Sequence, residues 1–235
     1  GGKYSQALGY KTLSCGTSSI AIGYQSRTNG PYALAQGYQS YANGIASIAM
    51  GYQAKACAPY SISLGQQNYA QGPNSFAVGF RSYANTSYSV AIGYKTQASG
   101  DYSTAMGSIT KASGSTSTAM GSVTLASGES STAMGYDTLA SGRFSTAMGG
   151  YTEASNSYST ALGNQSVSSG YSSVAAGFKA TANGGYSISM GKETYTENQS
   201  SIAMGYGTSA TGYYSTAFGL GTSAAGQSSV AMGYE

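Results

Sequence analysis

The stretch Ser131–Phe144 reads STAMGYDTLASGRF, and Ser145 opens the same motif again with STAMG. Aligned on the Gly of that Ala-Met-Gly core, the chain returns a Gly every 14 residues from Gly9 to Gly233, with no insertion across seventeen units. Numbering each unit from the residue four places before this Gly gives Ser-[Ile/Val/Thr]-Ala-[Met/Ile/Leu]-Gly-Tyr-x-[Thr/Ser]-x-Ala-[Ser/Asn]-Gly-x-[Tyr/Ser]. Position 1 is Ser in every unit except that of Ala33, and position 3 is Ala except at Ser63 and Ser189. All eight Met occupy position 4, and all three Pro (Pro31, Pro59, Pro73) occupy position 13. Residue type follows place in the unit, so each position has one structural environment.

A period of 14 is too short for helical repeats, which need more than about 30 residues. Ser-Ile-Ala-Met alternates small and large with the period of a strand. Gly at position 12, followed by Pro or a polar residue, predicts a tight turn. Asn156 and Asn198 replace that Gly twice, which suggests a left-handed backbone at position 12. Ala58 and Thr86 break this pattern, so their turns are expected to differ locally. The predicted fold is all-β: a parallel β-roll or solenoid of about 17 coils, running over 1–235 as one continuous domain. At about 4.8 Å per coil it would extend roughly 77 Å.

Composition explains why a repeat is needed. Leu, Ile, Val and Phe number 28 of 235 residues, too few for an ordinary compact core of this length. Charged residues are only 7%, which separates the chain from highly charged disordered sequences. The interior of a two-stranded coil is narrow, and positions 1, 3, 8 and 10 are nearly all Ser, Ala or Thr, so these face inward. Positions 2 and 4 then face outward with the large apolar residues: Ile20, Ile22, Ile48, Met50, Val90, Ile92, Ile202 and Met204. Such a stripe exceeds what a soluble monomer exposes, so it predicts an interface with further copies of the chain.

Units such as Tyr102-Ser-Thr-Ala-Met-Gly107, with the Ala-Ser-Gly that ends seven residues later, and Ser201-Ile-Ala-Met-Gly205 resemble the head repeat of YadA-like trimeric autotransporter adhesins. The resemblance covers the whole chain without gaps. It implies a left-handed parallel β-roll, a homotrimeric rod about one axis, and display on a bacterial surface for adhesion. Tyr at positions 6 and 14 is more frequent than that family leads one to expect, and no neck or coiled-coil stalk is present in this stretch. The chain begins at position 11 and stops at position 7, which fits a section of a longer fibre. Similar repeats occur in phage and viral fibres, so a receptor-binding or shaft segment on a virion is the alternative to an outer-membrane-anchored fibre.

Chemistry is constrained by what is missing. The absence of His removes Ser-His and Cys-His nucleophiles and the commonest metal ligand. Seven acids (Asp101, Glu129, Asp137, Glu153, Glu193, Glu197, Glu235) stand singly, so no catalytic pair, metal site or cofactor is expected. Ten Lys and Arg are dispersed, so nucleic acid is not an expected partner. No apolar run is long enough to span a membrane. Cys15 and Cys57 share position 11 three coils apart, about 14 Å on the coil rise and too far for a disulfide. Thr104, Thr118, Thr132, Thr146 and Thr160 line up at position 2, a pattern shared with ice-binding Thr ladders; the second rank such ladders need (Thr96, Thr110, Thr124, Thr138) is expected to point inward. The candidate adhesive surface is the Tyr column at position 6: Tyr10, Tyr24, Tyr38, Tyr52, Tyr94, Tyr136 and Tyr206, offered to a glycan, a matrix or host protein, or a neighbouring fibre.

Overall fold

A computed structural model describes all 235 residues. The chain forms two compact units, Gly1–Thr116 and Ser117–Glu235. In each, every repeat contributes a five-residue strand at positions 2–6 and a two-residue strand at positions 9–10. The first unit runs from Gln6–Tyr10 and Leu13–Ser14 to Thr104–Ser108 and Lys111–Ala112; the second runs from Thr118–Ser122 and Leu125–Ala126 to Val230–Tyr234. Equivalent strands of successive coils pair in parallel with a 14-residue offset, as in Ile48↔Ile62 and Thr132↔Thr146, so each position stacks on its own kind.

The inward positions are those the column composition predicts. Ser19, Ala21, Ser26 and Thr28 of one coil are all buried, and the buried apolar side chains are exclusively Ala. In most coils this thin core is tied by polar bonds, although the buried hydroxyls of Ser75, Ser103 and Ser131 and of Thr110, Thr124, Thr138, Thr152, Thr208 and Thr222 have no partner. The position-1 hydroxyl donates to the carbonyl at position 12, as in Ser47 Oγ to Gly44 O and Ser145 Oγ to Gly142 O, both at 2.7 Å. At position 8, Ser26 and Ser40 each donate to the position-5 carbonyl of the next coil at 2.8 Å. These bonds pair hydroxyls that would otherwise be buried without a partner. Position 1 is therefore Ser because it closes a turn as well as being small.

The turn itself corrects the sequence reading. Position 12 accepts a hydrogen bond from the next position 1, as in Ala33 N to Gly30 O at 3.3 Å, which makes positions 12 to 1 a β-turn with Pro at its second place. The left-handed residue is the third one, position 14, where Tyr32 has φ 59° and Tyr102 58°. Position 12 does not have positive φ. Its Gly is selected by proximity: a Cβ on Gly30 would lie 2.0 Å from Gly44 O in the next coil. Three of the four replacements at position 12, Thr86, Asn156 and Asn198, carry donors aimed at that neighbouring main chain, and Ala58 carries none. Asn156 Nδ2 reaches Ser169 O at 3.0 Å, and Thr86 Oγ1 reaches Gly100 O at 2.7 Å. The turns at Ala58 and Thr86 are also not different: Ser61 N to Ala58 O and Ser89 N to Thr86 O both keep the 3.3 Å bond.

Position 7 is left-handed as well, and side chains of every class occupy it, including Gln25 (φ 52°), Ile109 (56°) and Val123 (57°). An L-residue pays about 1–2 kcal/mol for this conformation. Stacking supplies the compensation, because each position-7 N–H donates to the position-6 carbonyl of the coil before, as Gln25 N does to Tyr10 O at 2.8 Å. A β-branched residue suits the site least. Ile109→Asn is expected to raise stability by about 1 kcal/mol, since Ile109 is half exposed and loses little packing. Chemical denaturation of the two proteins side by side measures this.

Candidate functional site

The position-6 Tyr column is outward-facing, but it is not one continuous ladder. Tyr10, Tyr24, Tyr38 and Tyr52 stack with ring centroids 5.0, 5.0 and 4.9 Å apart and interplanar angles of 15°, 3° and 5°. Each is roughly half exposed. Gln66 ends the file at the next coil. Tyr94 stacks on Phe80 at 5.4 Å, Tyr136 meets Tyr151 edge-on at 5.3 Å, and Lys192 Nζ lies 4.7 Å from the Tyr206 centroid. The structure thus brings together four of the seven proposed residues.

Beside the four rings runs a row of amides at position 7. Gln39 Nε2 donates to Gln25 Oε1 at 2.7 Å, Gln53 to Gln39 at 2.9 Å, Gln67 to Gln53 at 3.1 Å, and Arg81 Nε to Gln67 at 2.9 Å. Stacking of like on like produces this row, since parallel in-register strands place identical side chains one coil apart.

The position-9 column was not singled out from sequence. Arg27, Tyr41, Lys55, Tyr69 and Tyr83 follow one another in register on the short strands. Lys55 Nζ lies between two rings, 4.7 Å from the Tyr69 centroid and 5.9 Å from that of Tyr41. A hydrogen bond to the Tyr69 side chain holds the Lys55 ammonium above the usual lysine range, against an opposing loss of hydration. The backbone beneath is pinned by Asn68, the largest fully buried side chain. Its Nδ2 donates to Leu64 O at 2.6 Å and Gly79 O at 2.7 Å, and its Oδ1 accepts from Ser82 N at 2.8 Å. On either flank of Lys55 is a shallow recess. One of about 260 Å³ is bounded by Gln39, Tyr41, Gln53 and Tyr69; the other, of about 400 Å³, by Tyr41, Asn43, Cys57, Tyr69 and Gln71.

Charge is also unevenly distributed. The first hundred residues hold Lys3, Lys11, Arg27, Lys55, Arg81 and Lys95 but no Asp or Glu. The scattered acids all lie from Asp101 onward, a division that a count by halves of the chain reveals. The salt bridge between Arg143 and Glu129, at 2.9 Å, belongs to the second unit.

The proposed interface residues point away from the coil interior. Ile20, Ile22, Ile48, Met50, Val90, Ile92, Ile202 and Met204 are all part-exposed in the single chain, and Gln36 breaks the position-4 column between Ile22 and Met50. The position-8 Thr (Thr96, Thr110, Thr124, Thr138) are buried, leaving a single outward Thr rank at position 2. Cys15 and Cys57 are free, exposed thiols.

Set against known families, the chain matches the model of the "YadA head domain repeat (2 copies)" in overlapping windows that cover residues 16–194 and 197–235. The chain belongs to the YadA head family. Comparison with curated protein sequences gives no match. YadA heads are adhesin-type structural segments rather than enzymes, they self-associate as trimers, and they belong to extracellular, outer-membrane-anchored adhesins. As a YadA head this chain is a β-roll of 14-residue coils of the trimeric autotransporter type, with outward aromatic rings on both of its units.

Proposed function

We propose that this chain is an adhesive segment of a homotrimeric surface fibre, its repeat array acting as one continuous domain over 1–235 and its role being attachment rather than catalysis. Three copies bury the position-2 and position-4 stripe, with Ile20, Ile22, Ile48, Met50, Val90, Ile92, Ile202 and Met204 facing the axis. A stripe repeated on every coil supports this reading, because burying each large side chain contributes about 2 kcal/mol and an isolated chain leaves them in water. The position-6 rings stay on the outside. The fibre stands outside the cell, anchored in the outer membrane, and carries its ligand-binding surface on the first unit.

The observation that carries the adhesive reading is the four-ring file Tyr10, Tyr24, Tyr38 and Tyr52, flat, half exposed and flanked by the Gln row. Rigid rings present large amphipathic contact area while losing little side-chain entropy on binding. Ring stacking also contributes to coil stability, at about 0.5–1.5 kcal/mol per pair. Replacing all four Tyr by Ser separates the two contributions. We expect attachment of protein-coated beads to cells or matrix to fall at least tenfold while the trimer persists and melts only a few degrees lower. Unchanged attachment alongside lowered melting would reduce the file to scaffolding.

A further inference from the structure

We propose that Lys55, between Tyr41 and Tyr69, is the centre of a binding site for a carboxylated sugar residue of an acidic glycan. This rests on the adhesive reading above and names the ligand class for a place outside the position-6 ring file. Tyr41 and Tyr69 are two coils apart, about 9.5 Å on the coil rise. A third ring at position 55 would close that interval. Lys55 leaves it open and sets an ammonium between aromatic walls, 4.7 and 5.9 Å from the two ring centroids.

Three features define the ligand. The aromatic walls suit the C–H faces of a pyranose, which stack on rings as other apolar groups do. Amides stand on both flanks, Gln39 and Gln53 on one and Asn43 and Gln71 on the other, able to donate to and accept from sugar hydroxyls. The ammonium calls for an anion, and no carboxylate of the first hundred residues competes for it. A Lys–carboxylate contact on such a shallow surface discriminates acidic from neutral sugars without binding either tightly. Asn68 ties the Tyr69 backbone to its own coil and to the next one, so this wall is set before a ligand arrives.

The same position-9 column offers Arg27 below Tyr41, but Tyr83 rather than a second cation above Tyr69. Within this column only Lys55 has a ring on each side; at position 6 Lys192 stands between Phe178 and Tyr206, but with Glu193 beside it in the chain. Sialic acid and hexuronic acids share the required chemistry, a carboxylate on a pyranose ring, and they are distinguished by the probes chosen.

The test is titration of the whole 235-residue chain with 3′-sialyllactose, with lactose, and with a hyaluronan hexasaccharide, followed by nuclear magnetic resonance or calorimetry. At least one acidic probe is expected to bind tenfold or more tightly than lactose, and which one does so identifies the acid. Lys55→Gln is expected to bring that probe down to the level of lactose with an unchanged melting temperature. Tyr69→Ser is expected to weaken the acidic probe at least fivefold even though Lys55 remains. Equal binding of acidic and neutral probes, no acidic binding, or full binding by Lys55→Gln would overturn the proposal. Beads coated with the same preparations separate this from the broader reading. If wild-type beads attach and Lys55→Gln beads attach equally well, the Lys55 site falls and adhesion stands; if wild-type beads attach to nothing, the adhesive reading falls.

Discussion

Gly51→Ala is expected to cost on the order of 4 kcal/mol, because two independent penalties meet at one atom. Gly51 has φ +131°, outside the region open to L-residues, and a Cβ there would lie 2.0 Å from Gly65 O. Neither can relax alone. Rotating φ breaks the parallel pairing of Ile48–Tyr52 with Ile62–Gln66, and moving the carbonyl breaks the pairing of the coil above. A drop in melting temperature of roughly 10 °C follows for a chain of this length, together with selective loss of amide protection in the adjoining coils. The control is Gly142→Asn. Position 12 has no positive φ, so this change meets the steric penalty alone, a Cβ 1.9 Å from Asn156 O, and is expected to cost about 1–3 kcal/mol, less than Gly51→Ala. Equal destabilisation by the two variants would contradict the division of roles between the two Gly columns.

The second large effect concerns the proposed assembly. Ile92→Asp is expected to break the proposed trimer locally, as read by faster hydrogen exchange in the coils around Ile92 and a lowered melting temperature of the assembly. Three symmetry-related carboxylates would enter one layer of the axis, each unpaired, and a buried unpaired charge costs about 3–5 kcal/mol. The same substitution leaves the coil interior untouched, since Ile92 points away from buried Ala91. The variant should therefore keep its strand signal in circular dichroism. Ile92→Met, which restores the apolar surface found at Met50 and Met204, is expected to remain trimeric. A wild-type chain that is stably monomeric would remove the axis-facing assignment altogether.

What sequence could reveal, and what it could not, divides along a physical line. The coil period, the two strands, the inward set Ser19, Ala21, Ser26 and Thr28, and the outward set Ile20 and Ile22 were legible because parallel stacking places each column in one environment. Composition by column then reports burial directly. The Tyr file was legible for the same reason, though its breaks at Gln66 and after Tyr94 limit it to four contiguous rings. The Lys55 site was not read. It depends on one departure from the rule of like on like, a Lys standing where Tyr precedes and follows it.

The sequence by itself determined the coil: its length, its faces and its family, since these follow from which residues repeat and at what spacing. The tertiary structure alone decided where the backbone turns left-handed. Local propensity placed that conformation at position 12, on the strength of Asn156 and Asn198. In the fold it sits at positions 7 and 14, on residues as unsuited as Ile109 and Val123. The reason is that φ at these places is imposed by hydrogen bonds to the coil before, such as Gln25 N to Tyr10 O and Tyr32 N to Thr17 O, both 2.8 Å. At position 12 the stacking demand falls on space instead, and Gly is there because the neighbouring carbonyl occupies the place of a Cβ.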